Sequence, residues 1–270
     1  MKTSNRVAVE ITDQIAYVSL ARADKHNALD MDMFEAIVST IKTLKKDRNI
    51  RAIILQGQGD DFCSGLDVKS IMKKPKNSLK LLFKWLPWHA NLAQRVSTDW
   101  QTIAVPVIAV VHGRCWGGGL QIALGADFRI ATPNASLSIL EGRWGLVPDM
   151  GGTLALREIS RIDKVKELAM TARFINGVEA LDAGLVTYVC DNPLEKAQAL
   201  AKEISLQSPD SIAAVKKLYN KSWLSSAGFA LMKESYYQIK ILLGKNCKIK
   251  THNQLHEQDK QKPFVTRQRW

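Results

Sequence analysis

Two short glycine-bearing turns are the first places in this 270-residue chain where the backbone itself could do chemistry. They are Gly65-Leu66-Asp67 and Gly117-Gly118-Gly119, and each joins an apolar, strand-like run to the start of a helix. The first amide N–H groups of a helix have no partner within it and favour negative charge placed against them. If the two turns face one another, they form a two-donor oxyanion hole. Spacing alone leaves open, and favours, a second reading: the glycines simply let helix and strand pack closely. The four cysteines, Cys63, Cys115, Cys190 and Cys247, are scattered, with no Cys-x-x-Cys pair and no histidine at ligand spacing. Neither a metal site nor a disulfide framework is expected, and the thiols read as small apolar packing groups.

The elements that must hold these turns alternate in type. Val7 to Thr12 and Ile15 to Leu20 pair as a hairpin around Asp13-Gln14. Asp30 is placed to cap a helix reaching about Lys46, with Met33, Phe34, Ile37, Ile41 and Leu44 along one face. Ala52 to Leu55, Pro106 to Val111 and Phe128 to Ala131 read as buried strands, and helices are expected over Leu120 to Ala126 and from about Thr153. This alternation puts the chain in the α/β class. From about Pro193 the pattern is helical: Leu194 to Ser208, Ser211 to Ser225, then Phe229 onward. The segment from Lys69 to Trp100, with Pro75, Pro87 and three tryptophans, reads as irregular, either a cover over a pocket or a surface insertion.

Apolar residues make up 46% and charged residues 24%, which is ordinary for a globular protein. The longest apolar run, Ile103 to Val111, is broken by Pro106 and is too short to cross a bilayer. The N-terminus has no apolar block of signal-peptide length. The expectation is a cytoplasmic protein with no membrane partner. The net charge of +12 is uneven: Lys69 to Lys84 carries six lysines and no acid, and Lys240 to the end has eight basic residues against Glu257 and Asp259. Solvated lysine-rich faces are one reading, and attraction of a polyanion, either nucleic acid or a phosphate-rich cofactor, is the other. No RNA motif interleaves aromatic and basic residues, so nucleic acid is not an expected partner.

Taken in order, three segments resemble the enoyl-CoA hydratase/isomerase (crotonase) family: Phe62-Cys63-Ser64-Gly65-Leu66-Asp67, Pro106-Val107-Ile108-Ala109-Val110-Val111-His112-Gly113 and Trp116-Gly117-Gly118-Gly119-Leu120-Gln121. Ala126 to Ala131, Gly145 to Thr153 and Ala180 to Val186 continue in the family's order and spacing, so the resemblance runs from about Val7 to Val189. It implies a crotonase-like α/β spiral of ββα repeats over residues 1–200 and a C-terminal helical trimerisation region over 201–270. The implied assembly is a homo-trimer or a dimer of trimers. The implied substrate is an acyl-coenzyme A thioester, with no permanently bound cofactor and no metal. The oxyanion donors would be the backbone N–H groups of Leu66 and Gly118, and losing one such donor typically costs about 100- to 1,000-fold in rate. Coenzyme A would meet Lys25, His26 and Ala28, then Ser64, Leu66 and Asp67. Lys69, together with Phe264 and Arg267 of a neighbouring subunit, would reach its phosphates or adenine. For each lysine taken singly, a solvated surface role stays open.

The resemblance also places the acids. Hydration of a 2-enoyl thioester in this family uses two glutamates that position and split one water. Glu141 matches the second. Gln121 stands at the first, where an amide can hold a water but cannot take or give a proton at ordinary pH. Asp149, eight residues past Glu141, matches an aspartate that works with the glutamate in dienoyl-CoA isomerase-like members. Two carboxylates across one apolar pocket suit moving a proton along an acyl chain, and burial raises such pKa values towards neutrality. Asp149 could instead cap the helix expected near Thr153 or pair with Arg143. Arg143 could hold a carboxylate ionised, read a polar acyl group or form a surface ion pair. An enoyl-CoA isomerase or hydratase is expected, with Gln121 a catalytic candidate beside Glu141 and Asp149. A non-catalytic acyl-CoA-binding or RNA-binding member of the fold is the alternative.

Overall fold

Asp13 and Gln14 adopt φ of 50° and 64°, the left-handed pair that closes a two-residue hairpin with the native twist. The computed structural model describes residues 6–73 and 75–270. Its strands are β1 (Val7–Thr12), β2 (Ile15–Leu20), β3 (Ala52–Gly57), β4 (Val107–Val111), β5 (Arg114–Trp116), β6 (Phe128–Ala131), β7 (Ser136–Ser138) and β8 (Tyr188–Val189). Its α-helices are α1 (Met31–Leu44), α2 (Val68–Met72), α3 (Pro75–Leu82), α4 (Leu92–Thr98), α5 (Gly118–Leu124), α6 (Gly152–Ile159), α7 (Ile162–Thr171), α8 (Gly177–Asp182), α9 (Pro193–Ser205), α10 (Pro209–Ser222), α11 (Ala227–Leu242) and α12 (Lys245–Leu255).

The main sheet has the order β1-β2-β3-β4-β6-β8. Only the β1–β2 pair is antiparallel, and β5 with β7 makes a second, two-stranded parallel sheet. Parallel strands are covered on both faces, which explains their unbroken apolar runs. Ile53, Leu55, Val107, Ala109 and Val111 face the larger core under α1, α4 and α5. Their neighbours Ala52, Ile54, Ile108 and Val110 face the other way, against Ala197 and Ala201 of α9. The break expected after residue 200 therefore falls inside a helix that belongs to the core.

The stretch from Lys69 to Trp100 corrects the sequence reading, since it holds most of α2 and all of α3 and α4. Pro75 opens α3 rather than breaking it, because a proline at a first helical position loses no hydrogen bond. Asn91 and Gln94 cap α4 reciprocally. Trp100 is wholly buried, whereas Trp85 and Trp88 are exposed.

The helical tail is locked to the core by a buried ion pair. Lys216 of α10 places its ammonium 2.6 Å from the Asp127 carboxylate and donates to the carbonyls of Trp100 (3.2 Å) and Val105 (2.9 Å). The same Asp127 oxygen accepts the Val107 amide at 2.7 Å, at the start of β4. Removing one partner leaves the other charge buried and uncompensated. Asp127→Ala is expected to lower stability by about 3–5 kcal/mol in urea denaturation, and a loss below about 1 kcal/mol would show that the two carbonyls alone satisfy the lysine.

Candidate active site

The two glycine turns do face each other, and backbone pairing accounts for it. Cys63 bridges to Cys115 in parallel fashion, its amide donating to Arg114 and its carbonyl accepting from Trp116. A Cβ on Gly65, which has a φ of 92°, would lie 2.8 Å from the Trp116 carbonyl oxygen and 3.6 Å from the Gly118 nitrogen. Leu29 pairs with the Gly65 carbonyl and the Asp67 amide, so the intervening Leu66 amide is turned to the opposite side. Among the described residues no backbone hydrogen bond engages the N–H of Leu66 or of Gly118. Leu66 and Gly118 both line one cavity of about 230 Å³, walled by Trp116, Leu140, Trp144, Leu146 and Met150, with Glu141 and Asp149 on the same lining. The aromatic and thioether walls were not picked out in the sequence, although Trp116 directly precedes the glycines.

Glu141 lies in a short turn, Leu140–Trp144. Its Oε1 accepts from Gln121 Nε2 at 2.6 Å, while its Oε2 is buried without a partner. Burial raises its pKa, hydrogen bonds from its own backbone and from Gln121 oppose the shift, and the charge of Asp149 adds to it. Asp149 sits more openly, where this cavity meets a second one lined by Lys84, Trp88 and His89. The apolar atoms around it still desolvate its carboxylate and raise its pKa.

Gln121 makes three side-chain hydrogen bonds within the chain. It is buried, and its Oε1 accepts the amides of Met150 (2.9 Å) and Gly152 (3.0 Å). Two N–H donors on one atom identify that atom as oxygen, so the nitrogen must face Glu141. The side chain is a clamp between the start of α6 and the acid. Helix α6 begins at Gly152 with Gly151 as its N-cap, so Asp149 is not the cap. Arg143 pairs with neither carboxylate: it donates to the Ala172 carbonyl at 3.0 Å and lies 4.4 Å from the centre of the Phe174 ring.

The residues expected around coenzyme A divide into two groups. Ser64 lines the cavity, and His26, Ala28, Asp67 and Lys25 are linked beside it. The Ser64 amide donates to the His26 carbonyl, and Arg22 ties the Ala28 carbonyl to the Asp67 carboxylate. Burial pushes the Asp67 pKa up, but its bonds from Arg22 and the Ser70 amide outweigh this and hold it below the carboxylate range. Phe264 and Arg267 are the two residues expected from a neighbouring subunit. Within the chain they lie at the opposite edge of the sheet, beside Arg48 and Arg51. The cysteines are free, and burial pushes the Cys63 thiol up to about 12.

A family model described as Enoyl-CoA hydratase/isomerase matches residues 10–242. The chain belongs to the enoyl-CoA hydratase/isomerase family. It is similar to the mitochondrial Delta(3,5)-Delta(2,4)-dienoyl-CoA isomerase of Rattus norvegicus, 31% identical over 223 residues, which cover 78% of this chain and 68% of that one. It is also similar to the mitochondrial methylglutaconyl-CoA hydratase of Homo sapiens, 28% identical over 232 residues, covering 82% and 66%. The crystal structure of an enoyl-CoA hydratase from Bacillus anthracis matches with a TM-score of 0.84 at 25% identity, over 97% of this chain and 99% of that one. The fold is that of the crotonases. Relatives in this family thus include a hydratase and an isomerase, and no helix among the described residues is long and apolar enough to cross a membrane.

Replacing Gln121 tests the clamp directly. Gln121→Leu leaves two backbone amides and Glu141 unpaired, and the expected loss is about 2–4 kcal/mol by chemical denaturation. A loss under about 0.5 kcal/mol would contradict the clamp.

Proposed function

We propose that this family member shifts a double bond along an enoyl- or dienoyl-CoA, through a thioester enolate held by the Leu66 and Gly118 amides. The observation that carries this reading is the bond between Gln121 and Glu141. Hydration by two acids needs a second carboxylate at position 121, and here an amide stands there with its oxygen already committed to two backbone donors. The other carboxylate on the cavity is Asp149. It stands farther out, where it suits a carbon farther along the acyl chain. The rat relative is a dienoyl-CoA isomerase, which agrees with this choice.

In this reading the thioester carbonyl oxygen lies against the two amides, and Oε2 of Glu141 takes a proton from C2 of a 3-enoyl thioester. The electron pair moves into a dienolate whose oxygen the amides stabilise. Asp149, in its protonated form, gives a proton to C4, and the product is the 2-enoyl isomer. Solvent then resets the two carboxyl groups. Coenzyme A would be the carrier of the substrate, lying along Lys25, His26, Ala28, Ser64, Asp67 and Lys69. The exposed apolar residues Leu231, Met232, Tyr236 and Ile239 of α11 suit burial against neighbouring subunits in a trimer or dimer of trimers, and a light-scattering mass of a single chain would refute that assembly.

Incubation with 3- and 2-enoyl-CoA in heavy water, read by mass spectrometry, tests the chemistry. Deuterium gain with migration of the double bond is expected, and addition of one water would overturn the isomerase reading in favour of hydration. Glu141→Gln is expected to lower the rate by about 100- to 10,000-fold, whereas Asp149→Asn should lose migration while keeping exchange at C2.

The pH profile provides a separate check. Glu141 must be ionised to act as base, so exchange falls as pH drops through its raised pKa, above the ordinary glutamate value of about 4.3. Removing the Asp149 charge lowers that pKa, so the acid limb in Asp149→Asn should move to lower pH. An unmoved limb would separate the two carboxylates electrostatically.

A further inference from the structure

The segment after Asp67 carries charge and apolar surface that the acyl pocket does not use. From Val68 to Thr98 the chain has six lysines, one arginine and no acid. Among the described lysines of this stretch only Lys80 is ion-paired, with Glu35 of α1. The acids at its two ends are engaged elsewhere, Asp67 with Arg22 and Asp99 with Arg95. Lys84 donates to the Pro87 carbonyl, at 3.4 Å. The positive charge of this face is therefore largely unanswered within the chain.

Large apolar side chains stand in solvent among these cations. Met72, Leu79, Leu82, Phe83, Trp85 and Trp88 are between 56% and 82% exposed. The geometry of α3 accounts for the middle of this patch. Leu81 is buried in the main core and fixes the inward side of the helix. At about 100° per residue, Leu79 and Phe83 then point the opposite way. The Phe83 amide donates to the Leu79 carbonyl at 2.9 Å, so the two lie one turn apart on a single face. Lys76 and Lys80 flank them at the same helical spacing. Single exposed apolar residues are ordinary, but six so close in the chain mark an interaction surface.

The combination of charge and apolar area selects the partner. A second copy meeting this face about a twofold axis would set lysines against lysines. A nucleic acid would answer the charge but leave Met72, Leu79 and Leu82 without an apolar partner. An anionic bilayer answers both: headgroup phosphates meet the lysines, hydrocarbon receives the aliphatic side chains, and tryptophan sits well at the boundary between them. We propose that the face formed by Met72, Lys73, Lys76, Leu79, Phe83 and Trp85 binds the surface of an anionic lipid bilayer. A helix that lies on a bilayer need not cross it, so a lipid partner is compatible with the short apolar runs, contrary to the expectation drawn from them. Lys84 and Trp88 line the cavity that meets the acyl pocket at Asp149, so a bilayer held here lies beside that pocket. The binding itself is independent of the isomerase reading.

Co-sedimentation of the full chain with lipid vesicles tests it. Binding is expected to vesicles of equal parts phosphatidylcholine and phosphatidylglycerol, with a blue shift of tryptophan emission, and not to phosphatidylcholine alone. Lys73→Gln combined with Lys76→Gln should weaken it about 30-fold, roughly fivefold for each lysine. Leu79→Ser combined with Trp85→Ser should weaken it about tenfold or more and reduce the blue shift. All four side chains are exposed, so neither pair of substitutions should lower the melting temperature. The inference fails if the mixed vesicles are not bound, or if phosphatidylcholine alone is bound as well as the mixture. It also fails if Leu79→Ser with Trp85→Ser binds like the parent, since the lysines then serve a soluble polyanion such as RNA. A change only in the mass of the assembly in that variant would overturn it too, and would assign the face to a second copy.

Discussion

Where α5 meets the turn at Cys63, the two backbones come closer than any side chain would permit. A Cβ on Gly119 would lie 2.4 Å from the Cys63 carbonyl oxygen and 2.7 Å from its Cβ. Everything at the candidate site follows from this approach. It brings the Leu66 and Gly118 amides to one cavity and sets Gly117, with its φ of 50°, against the Glu141 carboxylate. It also carries Gln121 inward, one helical turn from Gly117, to where it reaches Glu141. The packing reading of the glycines holds, since Gly65 and Gly119 both sit where a Cβ would clash with the facing turn.

The second constraint is electrostatic. Glu141 has one oxygen held by an amide and the other buried and open. A neutral partner at 2.6 Å orients the acid without placing a like charge beside it, whereas a carboxylate there would force one of the pair to stay protonated. Asp149 is placed to perturb Glu141 through space and not by contact. One acid is therefore held in the cavity by an amide, and the other stands where two cavities meet.

The excess positive charge is organised by the same architecture. Lysines cover the segment after Asp67, near the rim expected to meet coenzyme A. At the opposite edge of the sheet the arginines collect where the tail returns to the core. The buried Lys216–Asp127 pair and the packing of α9 on the sheet join tail and core into one body. A charge count of +12 cannot distinguish these places, because it carries no information on which cations are paired.

Local signals determined much of the fold by themselves. The left-handed Asp13-Gln14 pair, the Asp30 cap that accepts the Met33 amide, and the two-sided apolar strands act over a few residues, so short-range sterics and hydrogen bonding decide them. The glycine turns were legible in the sequence itself, and the acids at 141 and 149 through the resemblance to the family. Tertiary structure alone decided what those groups do. The amide orientation of Gln121 depends on donors 29 and 31 positions away, and the placement of Arg143 on Ala172 spans 29. Phe264 and Arg267 meet Arg51 and Asp47 across more than 200 positions, at the sheet edge. Burial, desolvation and the pairing of charge depend on what the folded chain brings within a few ångströms, and sequence separation does not encode that distance.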